Sequence, residues 1–144
     1  MEILEVDAYT YNKSIKTFSL FTSANFAILN QKKVETLYFL LFKDSKVRLG
    51  IILGLIHNEL YSPFSSPYGG FSFVELDCKA RIIDEAISIF NDWIIKKRIS
   101  KVKIGQPPIH YDTQFQTRLI NGLRNNSFKI EQLDVNHHFK IPSD

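Results

Sequence analysis

Two short stretches concentrate the residues that could touch a ligand. In Ser62-Pro63-Phe64-Ser65-Ser66-Pro67-Tyr68-Gly69-Gly70-Phe71 two prolines stiffen the backbone and three aromatic rings supply flat surface. The adjacent glycines let the chain approach a ligand closely or adopt positive φ, so the stretch reads as a shaped turn rather than a slack linker. In Gln106-Pro107-Pro108-Ile109-His110-Tyr111 a double proline stops a strand, and His110 and Tyr111 stand just before Asp112, a helix cap. Such positions, at the carboxyl ends of strands, are where α/β proteins often place ligand contacts; the alternative is a rigid strand-to-helix connector. Tyr68, Gly69, Gly70, Gln106, His110 and Tyr111 are therefore the candidate substrate-binding residues.

Other chemistries find less support. The four histidines share no helical spacing: His57 falls in a turn, His110 in a loop, and His137 and His138 are neighbours on an extended segment, pointing to opposite faces, so no metal site is expected. Cys78 is the single cysteine, which excludes an internal disulfide and a cysteine metal cluster; beside Asp77 it reads as a buried structural residue rather than a nucleophile. Lys96, Lys97, Arg98, Lys101 and Lys103 form the one basic cluster, but it starts in the last turn of a helix, where cations complement the dipole, and no aromatic residues interleave it. No nucleic-acid partner is expected.

Positioning these residues falls to an ordinary soluble composition. The chain has 144 residues, 44% apolar and 23% charged, with a net charge of +3, enough for one well-packed domain spanning 1–144. Twelve phenylalanines and six tyrosines make the expected core aromatic. The first residues carry no basic stretch followed by an apolar one, and the longest apolar run, Leu49 to Ile56, is too short for a bilayer; a cytoplasmic protein without a membrane partner is expected.

Pattern and punctuation predict a strand over residues 2–6 and a helix from the cap Asp7 to about Lys16. A second helix follows over Ser23 to Asn30. Strands are predicted over Val34 to Phe42, Val47 to Leu55 and Glu59 to about Pro63, joined by the polar turns at 43–46 and His57-Asn58. Gly50 and Gly54 within the middle strand mark a bulge or close packing. A long amphipathic helix covers Asp77 to about Arg98, a strand Lys101 to Gly105, a helix Asp112 to Asn125, and an extended segment Phe128 to Ile141. The predicted order is β-α-α-β-β-β-α-β-α-β, an α/β (α+β) chain with a mostly antiparallel mixed sheet flanked by helices.

That order resembles the acyl-CoA N-acyltransferase architecture of the Gcn5-related acetyltransferases (GNAT), over nearly the whole chain. The segment from Ser66 to Phe71, followed by the long helix and then by Pro107 to Asp112, is similar to the N-terminal half of FemAB-like acyl- or aminoacyltransferases, which carry two such domains in tandem. The resemblance implies acyl transfer from acetyl-CoA or another activated donor to a small-molecule or peptide amine. Such a reaction needs a base, an oxyanion donor and a proton donor; Tyr61 or Tyr68 could donate and Glu59 could serve as base. It further implies that a second GNAT-like domain follows this one or that the chain is a stand-alone relative; a separate possibility is an interaction module whose exposed strand edge or aromatic loop docks a second chain, as a homodimer or with a partner domain.

The chain departs from the family at one point. GNAT enzymes cradle the acyl-CoA pyrophosphate in a Gln/Arg-x-x-Gly-x-Gly/Ala turn at a helix start. Here Gly69 and Gly70 are adjacent, Phe71 to Leu76 separate them from Asp77, and an acid at that position opposes a phosphate. The expectation is a domain without a complete CoA site, serving substrate recognition or domain pairing, with an active N-acetyltransferase using an atypical turn as the alternative.

Overall fold

Alternation along neighbouring strands decides the layering. The computed structural model describes residues 1–16, 19–75 and 78–135. Strand β1 (Glu2–Val6) pairs antiparallel with β2 (Thr36–Lys43), and β2 with β3 (Val47–Ile56). On β2, Leu40 and Phe42 face one side while Phe39 and Leu41 face the other, as the two-residue period of a strand requires.

Each face has its own helical layer. Helices α3 (Ala80–Lys96) and α4 (Thr113–Asn125) cover the first face, burying Ile83, Ile87, Phe90, Phe115 and Leu119 against Leu40, Phe42, Leu49, Ile51, Leu53 and Leu60. The shorter α1 (Ala8–Ser14) and α2 (Ala24–Leu29) cover the second, with Tyr11, Ile15, Ala24 and Ala27 on Phe39, Leu41 and Ile52. Asp7, Ser23 and Asp112 cap α1, α2 and α4 by accepting from the amides of Thr10 (2.7 Å), Phe26 (3.2 Å) and Phe115 (2.9 Å). Among the described residues no helix is long and apolar enough to cross a membrane.

The sheet order is β1-β2-β3-β4-β6, with β5 also on β3. Strand β4 (Glu59–Ser62) follows a two-residue turn in which His57 (φ 48°) and Asn58 (φ 63°) are both left-handed, the conformation that suits a tight hairpin. It pairs with Gly54 to Ile56 of β3, whereas β5 (Phe71–Phe73) pairs with Leu49 to Ile51 on the same edge. Strand β6 (Lys101–Ile104) lies parallel to β4. The sheet is mixed and mostly antiparallel, as expected.

Three details differ from the sequence-based expectation, and one open alternative is decided. Strand β5 was not foreseen: three residues straight after a glycine pair offer too little pattern to register as a strand. Helix α3 begins at Ala80, with Lys79 at its cap and no side-chain capping bond, rather than at Asp77, which lies outside the described residues. Of the two expectations for Gly50 and Gly54, close packing is the one met, since a Cβ at Gly50 would stand 2.8 Å from both Tyr11 and Ile15, and one at Gly54 2.8 Å from the Phe64 ring. The register shift falls instead at Phe42/Lys43. Finally, residues 128–135 follow α4 without forming a ladder, while 136–141 lie outside the described residues, together with His137 and His138.

The basic cluster is engaged in holding elements together. Lys97 pairs with Glu5 at 2.7 Å, and the Trp93 indole donates to the same carboxylate at 2.8 Å, tying the end of α3 to the edge strand β1. Desolvation pushes the Glu5 carboxyl up, but these donors bring it below its ordinary range. Lys101 and Lys103 reach Glu131 at 3.9 and 3.4 Å.

Candidate functional site: a stitched glycine loop

The chain leaves β4 at Ser62 and returns to nearly the same place at Gly69. Two backbone bonds and one side chain close the base of this excursion. Gly105 donates to the Ser62 carbonyl (2.7 Å), Gly69 to the Gly105 carbonyl (2.8 Å), and Gly70 to the Ser62 hydroxyl (2.9 Å). Ser62 is 2% exposed, so these bonds form away from water. No Cβ fits at Gly69, where it would meet the Pro63 nitrogen at 2.8 Å, and Gly70 has φ +83°, which only glycine adopts without strain.

Beyond this base the loop leans on aromatic rings. Ser66 donates to the Tyr68 carbonyl at 2.9 Å, fixing the tip. The Tyr68 ring meets Phe21 edge-on at 5.4 Å and Tyr111 at 5.8 Å, and Tyr111 meets His110 at 4.9 Å. The Tyr68 hydroxyl lies 3.1 Å from the Ser19 hydroxyl. Two 3-10 turns, Leu20–Thr22, capped by Ser19, and Ile109–Tyr111, carry these partners.

Gln106 completes the site. It follows β6, and its carboxamide packs over Gly70, close enough that a Cβ there would stand 2.6 Å from its oxygen. Both its Nε2 and Oε1 are buried with no hydrogen-bond partner among the described residues. A polar atom buried unpaired costs on the order of 1–3 kcal/mol, so this amide is held against its own preference by the packing around it.

The structure thus gathers all six candidate binding residues, Tyr68, Gly69, Gly70, Gln106, His110 and Tyr111, around one loop. Glu59 is placed apart from them. It opens β4, opposite Lys101 and roughly 10 Å along the strand from Ser62 at about 3.3 Å per residue. Its carboxylate accepts from the Tyr61 hydroxyl at 2.5 Å, which raises the Tyr61 pKa. Cys78 is buried, and Arg118 donates to its carbonyl at 2.9 Å.

Sequence reasoning missed the residues that anchor the loop from the α1–α2 layer. Ser19, Phe21 and Phe26 line or support it, as does Tyr11 beneath, whose pKa burial pushes up, with Ser72 hydrogen-bonded to the ring hydroxyl opposing. Nothing local marks these residues as loop partners, because the contact is made across the sheet face rather than along the chain.

Comparison with solved structures bears on the fold. The chain matches two structures of the aminoglycoside acetyltransferase meta-AAC0020, from an uncultured soil metagenomic sample, one in complex with sisomicin and one with trehalose. The TM-scores are 0.52 and 0.51 at 12% identity, and each match covers 98% of this chain and 96% of that one. The fold is GNAT-like. No protein-family model and no curated protein matches the sequence, so the likeness lies in the architecture. Within the GNAT-like frame the stitched loop interrupts the sheet between β4 and β5, just before the long helix α3.

Proposed function

We propose that the chain is a GNAT-fold domain of the FemAB-like kind that recognises an acyl acceptor or pairs with a second such domain, rather than one that holds CoA on its glycine turn. One observation carries this reading. The amides of Gly69 and Gly70 donate inward, to Gly105 and Ser62, whereas a phosphate cradle needs amides directed at the ligand. The approach to α3 does not replace them: the stretch from Val74 to Lys79 contains no glycine, and Glu75 within it is occupied by Lys46 and Arg48. The pyrophosphate of acetyl-CoA therefore does not fit these residues.

The acceptor surface in this reading is Tyr68 with Gly69 and Gly70, faced by Gln106, His110 and Tyr111. Gathering polar and aromatic groups at strand ends supports ligand binding there, and an amine, as in the aminoglycosides named for the structural neighbour, is the acceptor class that the fold suggests. Thermal denaturation with CoA and acetyl-CoA at millimolar concentration tests it. The expected result is an unchanged Tm. A ligand present at a hundred times its Kd adds about 2.7 kcal/mol, a shift of several degrees, and such a shift would instead favour an active acetyltransferase with Tyr68 and Glu59 as its donor and base.

A further inference from the structure

Charge is unevenly divided between the α1–α2 layer and the rest of the chain. Residues 8–33, which carry both helices, contain Lys13, Lys16, Lys32 and Lys33 and no aspartate or glutamate, a net of +4; the other residues set 14 lysines and arginines against 15 acids, a net of −1. All four lysines are exposed, and none makes an ion pair among the described residues, whereas Lys46, Arg48, Lys97, Lys101 and Lys103 elsewhere do. Lys33 reaches a neutral partner, the Ser65 hydroxyl at 2.5 Å. The nearest acids along the chain are engaged at the two ends of the layer: Asp7 caps α1, and Glu35 accepts from the His57 amide at 3.0 Å. Within the layer the four charges stay uncompensated.

The same layer turns apolar side chains outward. Tyr11 on α1 and Ala27 on α2 are buried against the sheet. Tyr9 and Lys13 stand two residues from Tyr11, and Leu29 two residues from Ala27, which is about 200° around an α-helix and so on the side away from the sheet. Tyr9 is 70% and Leu29 82% exposed, and Leu20, on the 3-10 turn that contacts α2, is 66% exposed. The Lys13 ammonium lies 5.3 Å from the centre of the Tyr9 ring, while Lys16 and Lys32 follow the C-terminal ends of α1 and α2.

We propose that the outer side of the α1–α2 layer docks on a bilayer surface containing anionic lipids, with Tyr9, Leu20 and Leu29 entering the headgroup region and the lysines of the layer meeting lipid phosphates. Lysines beside exposed apolar side chains, with no acid among them, complement such an interface in both charge and polarity. Two other occupants fit less well. Nucleic acid would pair with the ammonium groups but has no use for outward-facing leucines. A twofold dimer through this face would set its four lysines against four more. Contact at the surface needs no spanning helix, the feature whose lack underlay the expectation of no membrane partner.

Co-sedimentation of the full chain with vesicles at about 0.1 M salt tests this. The chain is expected to pellet with phosphatidylcholine vesicles containing a quarter phosphatidylglycerol and to stay in the supernatant with phosphatidylcholine alone. Lys13→Gln and Lys32→Gln, both exposed changes, should each weaken binding about fivefold, the effect of one lysine near such a surface. Leu29→Ser should weaken it about tenfold, and Lys129→Gln, exposed beyond α4, should leave it within about twofold. Equal pelleting with neutral vesicles, an unaffected Leu29→Ser variant, or equal weakening by Lys129→Gln would each overturn the proposal. So would a duplex oligonucleotide bound in preference to the vesicles, which would assign the lysines to nucleic acid. None of these residues belongs to the glycine loop, so the result stands apart from the CoA test.

Discussion

The two faces of the sheet are built to different ends. On one, α3 and α4 bury a continuous aromatic and aliphatic core in which Phe90 and Phe42 are fully covered, and charged residues at its margins are paired. On the other, two helices of seven and six residues cover only part of the sheet, and the loop from Pro63 to Tyr68 supplies the remaining cover with rings and hydroxyls. A thick layer fixes the shape; a thin one leaves surface for recognition. The lesson is that the face with fewer buried contacts is where a ligand can be met, because less stability is lost by shaping it for something other than packing.

The strongest way to break this comparison is to truncate one ring on each face. Phe90→Ala should cost about 3–5 kcal/mol in urea denaturation, as for other fully buried phenylalanines, whereas Phe21→Ala, half-buried against the loop, should cost under about 2 kcal/mol. Equal losses would mean that both faces are structural cores. A smaller effect is expected for Tyr11→Phe, which deletes a buried hydroxyl bonded to Ser72 and should cost about 1 kcal/mol at neutral pH.

The same variant has a pH signature. Burial raises the Tyr11 pKa above the ordinary value near 10, so the folded chain keeps a proton that the unfolded chain releases. That stability is fully present below about pH 10 and is lost as the pH rises beyond it. Tyr11→Phe should therefore flatten the alkaline fall in a stability-versus-pH series; an unchanged slope would place the ring in water. The smallest effect is expected on the thick face. Arg98, just after α3, has φ 57° and closes the helix with its amide on the Ile95 carbonyl, a position glycine fills without strain. Arg98→Gly should raise the stability by about 0.5–1 kcal/mol, and a loss would show that the arginine side chain contributes more than its backbone costs.

Much of this arrangement is legible in the sequence because it depends on neighbours along the chain. The caps Asp7, Ser23 and Asp112, the His57-Asn58 turn and the period of α3 are local signals, and each is where the pattern places it. The order of elements then suffices to point to a GNAT-like fold. What the sequence withholds is contact made across the sheet. Strand β5 exists because Leu49 to Ile51 offer it an edge, and Gly50 and Gly54 are small because Tyr11 and Phe64 arrive from elsewhere. The candidate site divides in the same way: Tyr68 to Gly70 and Gln106 to Tyr111 stand out by composition, whereas Ser19, Phe21 and Lys33 gain meaning only once the loop folds back on them.

The closed base of the loop has a consequence for how this chain can change. Because Ser62 and Gly69 meet at Gly105, residues 63–68 hang from a clasp whose two ends are already joined, and the strands on either side take their register from β3 and β6 alone. Such a segment behaves as an exchangeable cassette. Its length and chemistry can drift, altering what the surface accepts, while the scaffold that carries it keeps its alignment.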